Sequence, residues 1–177
     1  MDFTAVLEDV AGFLEREGVP FALAGAFALH AYGLARATSD LDFLTEARAQ
    51  KTLISHLESR GYETLHASSG YSNHVHPDMT WGRVDVIYVD EETARRLFAV
   101  HGATLRFGGR EIPVPRAEHL VALKVHAMKN DPGRTFQELA DLRFLMQVPG
   151  IDEHEVRGYF ERAGLLGRYD EIKRSLG

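Results

Sequence analysis

Ala24-Gly25-Ala26-Phe27-Ala28-Leu29-His30-Ala31-Tyr32-Gly33 leads through Leu34-Ala35-Arg36-Ala37-Thr38-Ser39 into Asp40-Leu41-Asp42-Phe43-Leu44, and this stretch decides the fold. Just before it, Phe21-Ala22-Leu23-Ala24 is a short apolar run that reads as a buried strand ending at Gly25. A short helix follows over about 26–32, stopped by Gly33. Asp40–Leu44 alternates polar and apolar, so as a strand it sets both carboxylates on one face and Leu41 and Phe43 on the other. A strand that ends in glycine and opens into a helix leaves backbone N–H groups aimed at one spot, with the helix dipole favouring an anion there.

Further along, Arg83-Val84-Asp85-Val86-Ile87-Tyr88-Val89 is a mostly apolar, β-branched strand in which Asp85 is conspicuous. A carboxylate there is costly unless paired or ligated. Arg83 is expected to pair with it poorly, being two positions along the strand with no turn between them, which leaves Arg36 or Lys124 as the salt-bridge alternative. Taken alone, Thr38-Ser39-Asp40-Leu41-Asp42 is equally a capped turn entering a strand with one wet face. Asp85 shifts the balance. Adjacent like charges need an offset, and a divalent cation with oxygen ligands is the simplest one. Three carboxylates around one point suit two-metal phosphoryl or nucleotidyl transfer.

Composition narrows the setting. The chain has 177 residues, no cysteine and a net charge of −6. The first is enough for one domain or two small lobes. The second removes disulfides and thiolate metal sites and suits the cytoplasm. The third argues against broad, charge-driven nucleic-acid binding, though Arg36, Arg83, Lys124, Lys129 and Arg134 are available for a local basic groove. No apolar run is long enough to span a bilayer, so no membrane partner is expected, and Met1-Asp2-Phe3-Thr4 lacks the character of a signal peptide.

Around this centre the pattern predicts an α/β (α+β) fold. An amphipathic helix over 2–17 ends at Gly18 in the position of a left-handed cap. Thr45 is expected to cap a helix over about 46–60. Strands are expected at 62–67, 72–77 and 83–89, a helix at 91–99 and a hairpin over 106–114 around Gly108-Gly109. Beyond Pro115 the periodicity becomes helical at about 117–129, 135–147, 152–163 and 166–175. Residues 1–115 are thus expected to form a mixed sheet with flanking helices, and 116–177 a helical lobe packed on it.

The run from Ala24 to Asp42 resembles the signature of the polymerase-β-type nucleotidyltransferase superfamily: a Gly-Gly or Gly-Ser turn, a short helix, then Asp-x-Asp, with a third Asp on a later strand. Arg36-Ala37-Thr38 just before the Asp-x-Asp is similar to minimal, toxin-type members of bacterial abortive-infection and toxin–antitoxin systems. Leu123-Lys124-Val125-His126-Ala127 and Ala140-Asp141-Leu142 resemble their helical half. The resemblance implies an Mg²⁺-dependent transferase, with Mn²⁺ able to substitute, that moves a nucleoside monophosphate from an NTP such as ATP to a hydroxyl. Asp40, Asp42 and Asp85 would be the catalytic metal ligands. Gly25, Ala26, Arg36, Ser39 and Lys124 would contact the nucleotide. The acceptor it implies is RNA, such as a tRNA end, or a cognate partner protein. A small-molecule transferase of the aminoglycoside type and a catalytically weak nucleotide-binding module are the alternatives.

Three departures stand out. Ala26 replaces the second Gly or Ser and removes a hydroxyl contact. Phe136-Gln137-Glu138 follows Arg134 where relatives often carry a basic residue and an Asp. Asp141 reads as a positioning carboxylate. His74 and His76 share a strand face with His66 nearby, but no third ligand is evident for a zinc site.

Overall fold

The computed structural model describes residues 1–100, 102–131, 133 and 135–177. They divide into two compact units, Met1–Pro115 and Arg116–Gly177. Arg134, expected near the second helical motif, lies outside the described residues.

In the first unit, β1 (Phe21–Leu23), β2 (Asp40–Glu46), β3 (Glu63–Ser68), β4 (Tyr71–Val75) and β5 (Arg83–Val89) form one mixed sheet in the order β1-β2-β5-β4-β3. Only β2 and β5 run parallel; the other neighbours are antiparallel. The alternation in Asp40–Leu44 does what its period predicts: Leu41 and Phe43 are fully buried, with Val84 and Val86 in register beside them. That apolar layer, with α1 (Phe3–Arg16) and α3 (Gln50–Ser59), carries the fully buried Leu7, Leu14, Leu53 and Leu57. Asp2 caps α1 by accepting from Ala5 N–H at 3.1 Å, and Gly18 ends it at φ +62°.

The hairpin starts at Ala103 rather than 106, the strand expected over 72–77 runs Tyr71–Val75, and the boundary at Thr45 also differs from the expectation. Thr45 does not cap a helix; it lies inside β2, fully buried, and its hydroxyl donates to Pro20 O at 2.8 Å. The strand continues through Glu46 because both neighbours still offer pairs, Thr45 against Phe21 and against Tyr88. A short 3₁₀ turn, Ala47–Ala49, then leads into α3.

The helix α2 (Gly25–Ala31) lies between β1 and β2 in the chain. The hairpin β6 (Ala103–Phe107) and β7 (Arg110–Val114) turns at Gly108-Gly109, and Phe107 meets Phe27 of α2 edge-on at 5.4 Å. The helix α4 (Glu91–Ala99) is capped by Asp90, which accepts from Thr93 N–H at 2.9 Å.

The second unit is all helical: α5 (Ala117–Asn130), α6 (Thr135–Leu145), α7 (Glu153–Ala163) and α8 (Leu166–Leu176). Leu120, Val121, Leu142, Leu145, Val156, Phe160 and Ile172 form its core. Asp152 caps α7 through His154 and Glu155 N–H, and its own N–H donates to Glu118 Oε1 at 2.9 Å. Among the described residues no helix is long and apolar enough to cross a membrane.

Candidate active site

The chain turns sharply where β1 meets α2, and the reason is visible at Gly25. Its φ is +55°, a region L side chains rarely adopt. A Cβ added there would fall inside the Asp42 carboxylate. Ala24 N–H donates to Asp42 O at 2.9 Å, so the turn is tied to the strand that carries the aspartates. Ala26 is 1% exposed: its methyl belongs to the core, and only its backbone is available to a ligand.

From α2 the chain runs through the 34–39 loop, which His30 holds. Its Nε2 lies 3.0 Å from Arg36 N and 2.8 Å from Arg36 O, so either tautomer grips the backbone of the same residue. Arg36 is half-buried and Ser39 exposed. The Thr38 hydroxyl donates to Asp40 Oδ1.

The strand register then decides which carboxylates meet. Asp42 stands directly opposite Asp85 across the parallel β2–β5 pair, and Asp40 stands opposite Arg83. Residues of equal parity share a face, so Asp40, Asp42, Arg83 and Asp85 lie together. Neighbouring strands are roughly 4.8 Å apart, which brings the Asp42 and Asp85 side chains into adjacency.

Asp85 is 8% exposed and well supported. Asn73, its register partner on β4, donates from Nδ2 to Oδ1, and Arg83 Nε donates to the same oxygen at 3.1 Å. The expectation that Arg83 would pair poorly is therefore corrected. Residues at i and i+2 share a face, and the long arginine folds over the intervening rise. Tyr71 joins the group: burial and the Asp85 carboxylate push its phenol up to about 12. Asn73 and Tyr71 were not singled out from the sequence. The signal was their spacing of two in Tyr71-Ser72-Asn73, which puts both on one face of β4.

Lys124 is built into the second unit. It is 9% exposed, with Nζ 2.9 Å from Glu138 Oε2 and 2.6 Å from Asp141 Oδ2. Both acids are buried, at 0% and 2% exposure. Glu138 thus serves as a lysine partner within the altered Phe136-Gln137-Glu138 run, while Phe136 is 89% exposed. His74 and His76 go separate ways. His74 sits between Thr64 and Ser72, and His76 accepts from Asp78 N–H at Nδ1.

Chemically, the face offers hard oxygen donors in register, a glycine turn with no side chain to block it, and a guanidinium beside them. Among the described residues no three His, Asp or Glu side chains are gathered as a finished metal cage.

Comparison with known proteins gives the family. No curated protein matches the sequence. The solution structure of the antibiotic-resistance factor ANT(2'')-Ia is similar at a TM-score of 0.65 and 14% identity, over 99% of this chain and 98% of that one. The lincosamide antibiotic adenylyltransferase LnuA with lincomycin bound is similar at 0.57 and 17%, over 81% and 96%. A nucleotidyltransferase-like protein from Paracoccidioides brasiliensis is similar at 0.58 and 14%, over 99% and 92%. At such identities the likeness is one of fold. The sequence family described as the nucleotidyl transferase AbiEii toxin of type IV toxin–antitoxin systems matches residues 12–175, nearly the whole chain. The chain belongs to the AbiEii nucleotidyltransferase toxin family.

Proposed function

We propose that this nucleotidyltransferase moves a nucleoside monophosphate from an NTP to a hydroxyl of RNA, such as a tRNA end, or of a partner protein. One observation carries the reading: Asp42 faces Asp85 across parallel strands, with Asp40 two residues earlier on the same face. Their oxygen donors suit Mg²⁺ or Mn²⁺, and Asp40, Asp42 and Asp85 would hold the ion. When bound, the metal withdraws charge from the nucleotide phosphates.

The protein's own groups do the rest. Backbone N–H groups at Gly25 and Ala26 hold the terminal phosphates. Arg36 forks onto phosphate oxygens, with its backbone held by His30. Ser39 lends a hydroxyl donor, and Lys124 contributes an ammonium already flanked by Glu138 and Asp141. Asp85 accepts the proton of the acceptor hydroxyl. The freed oxygen attacks the α-phosphorus, the bond to the bridging oxygen breaks, and pyrophosphate leaves.

The test is label transfer from each α-³²P NTP, with Mg²⁺, to total RNA and to lysate protein, beside Asp40→Ala/Asp42→Ala. Metal-dependent labelling that vanishes in the variant supports the reading, and the labelled fraction names the acceptor. A second reading, a small-molecule acceptor, is favoured by the full-length fold likeness to ANT(2'')-Ia. Label appearing on an added aminoglycoside, and on neither RNA nor protein, would establish it instead.

A further inference from the structure

The helical unit has a cleft of about 210 Å³ between α5 and α7. Its apolar lining is Ala122, Val125 and Ala163, and its cations are Lys129 and Arg162; His126 and Tyr159 complete it. Two independent features point to an anionic occupant.

The first is charge pairing. Much of the basic surface is neutralised: Arg60 by Asp9, Arg110 by Glu15, Arg168 by Glu171, Lys173 by Glu153. Among the described residues neither Lys129 nor Arg162 is in an ion pair, and no carboxylate lines the cleft. In a chain of net charge −6, gathering unpaired cations at one place runs against the overall balance.

The second is preorganisation. The Arg162 guanidinium lies 4.9 Å from the Tyr159 ring centroid. Tyr159 is itself anchored, its hydroxyl donating to Glu155 Oε1 at 2.7 Å. Gly158, one turn before Arg162, leaves it room: a Cβ there would stand 3.1 Å from Nη1. The arginine is exposed yet held, so little side-chain entropy is lost when it engages a ligand.

We propose that this cleft binds a nucleotide unit within an RNA strand. Arg and Lys together suit a phosphodiester, a fork and a point charge. A guanidinium held over the Tyr159 ring has its other side for a nucleobase, and the small apolar lining takes the ribose and base edge. The volume lies below the ~300–1,000 Å³ of a pocket for a drug-sized ligand, so it seats one unit of a strand that continues over the surface. An acidic peptide would match the charge but leave the stacking face and apolar lining unused. The proposal rests on the RNA-acceptor form of the reading above.

The test is fluorescence anisotropy of the full chain with a 5′-labelled, mixed-sequence, single-stranded RNA of 16 nucleotides, across a salt series. Lys129→Glu/Arg162→Glu should bind at least about tenfold more weakly, with the log–log salt slope shallower by about 1.4 for two lost phosphate contacts. Gly158→Ala, which crowds Arg162 without changing charge, should bind a few-fold more weakly. Circular dichroism confines the comparison to folded protein. Unchanged affinity and slope, or no RNA binding by the wild type, overturns the proposal. So does displacement of the RNA by a glutamate-rich peptide or by inorganic phosphate at equal charge concentration. Cleft-dependent RNA binding without any label transfer would sink the transferase acceptor reading and leave this site standing. Label transfer to RNA with cleft variants unaffected would do the reverse.

Discussion

Asp42 and Asp85 are register partners on adjacent parallel strands, yet their surroundings differ. Asp85 is buried and accepts from Asn73 and Arg83, while Asp42 is half-buried with Gly25 against it. The pair sets two negative charges side by side, a repulsion worth about 0.5 kcal/mol on a sheet. Asp85→Asn gives up charge-assisted hydrogen bonds and should cost about 1–2 kcal/mol, since Arg83 is partly exposed. Asp42→Asn and Asp85→Asn should both abolish label transfer. Urea denaturation of Asp85→Asn checks the stability change; an unchanged midpoint would show that the flanking donors do not matter.

Gly25→Ala tests the turn. The φ of +55° costs an alanine about 1–2 kcal/mol, and the new methyl collides with Asp42. Relief requires the carboxylate to move. We expect a loss of about 1–2 kcal/mol in stability and a fall in transfer rate of about 10²-fold, the scale of an ångström-sized misplacement at a reacting centre. A variant that loses stability but keeps its rate would separate the turn from the chemistry.

The fold was legible because each element carries its own period. Asp40–Leu44 alternates, the 117–176 region repeats helically, and Gly18, Gly33 and Gly61 punctuate. What local pattern could not supply was pairing across the chain. Thr45 reads as a cap until β1 and β5 are known to continue beside it. Asp85 reads as an isolated acid because Asn73, twelve residues earlier, comes alongside only through the β4–β5 register. Lys124 and Asp141 were both legible as motif residues. Their direct contact depends on how α5 and α6 face each other, which periodicity does not specify.

Lys124 makes a prediction that separates binding from architecture. Removing an ammonium buried against two carboxylates takes from each a close counter-charge, at a cost of about 3–5 kcal/mol. Lys124→Met should therefore destabilise strongly. Adding Glu138→Gln and Asp141→Asn should recover most of that loss, because neither side chain then carries the charge that the lysine had offset. If Lys124 also serves the triphosphate, the rescued triple variant will regain its thermal midpoint and still show a raised KM for NTP. Recovery of both would make the residue architectural alone.

His74 predicts how stability depends on pH. It is fully buried on the apolar face, in a chain of hydrogen bonds that fits one protonation state. Thr64 donates to Glu58 at 2.8 Å, so its oxygen is left to accept from His74 Nδ1–H at 3.1 Å. Nε2 then accepts from the Ser72 hydroxyl at 2.7 Å, and Ser72 accepts from Tyr88 at 2.8 Å. A second proton on Nε2 would oppose the Ser72 donor and break the sequence. Burial accordingly lowers the His74 pKa below 6.5, against the opposing pull of Asp85 and Glu58. Because the unfolded imidazole still titrates near 6.5, the unfolded state binds more protons just below that pH. The stabilisation is therefore complete above pH 6.5 and is lost as pH falls through the folded value. Urea midpoints should drop between pH 7.5 and 5.5, and drop less in His74→Asn, which keeps one donor and one acceptor but cannot titrate. His119, also lowered by burial, adds to the slope in wild type and variant alike. Identical slopes in wild type and variant would mean that His74 accepts its second proton without cost, and the hydrogen-bond direction assigned to Ser72 would have to be reversed.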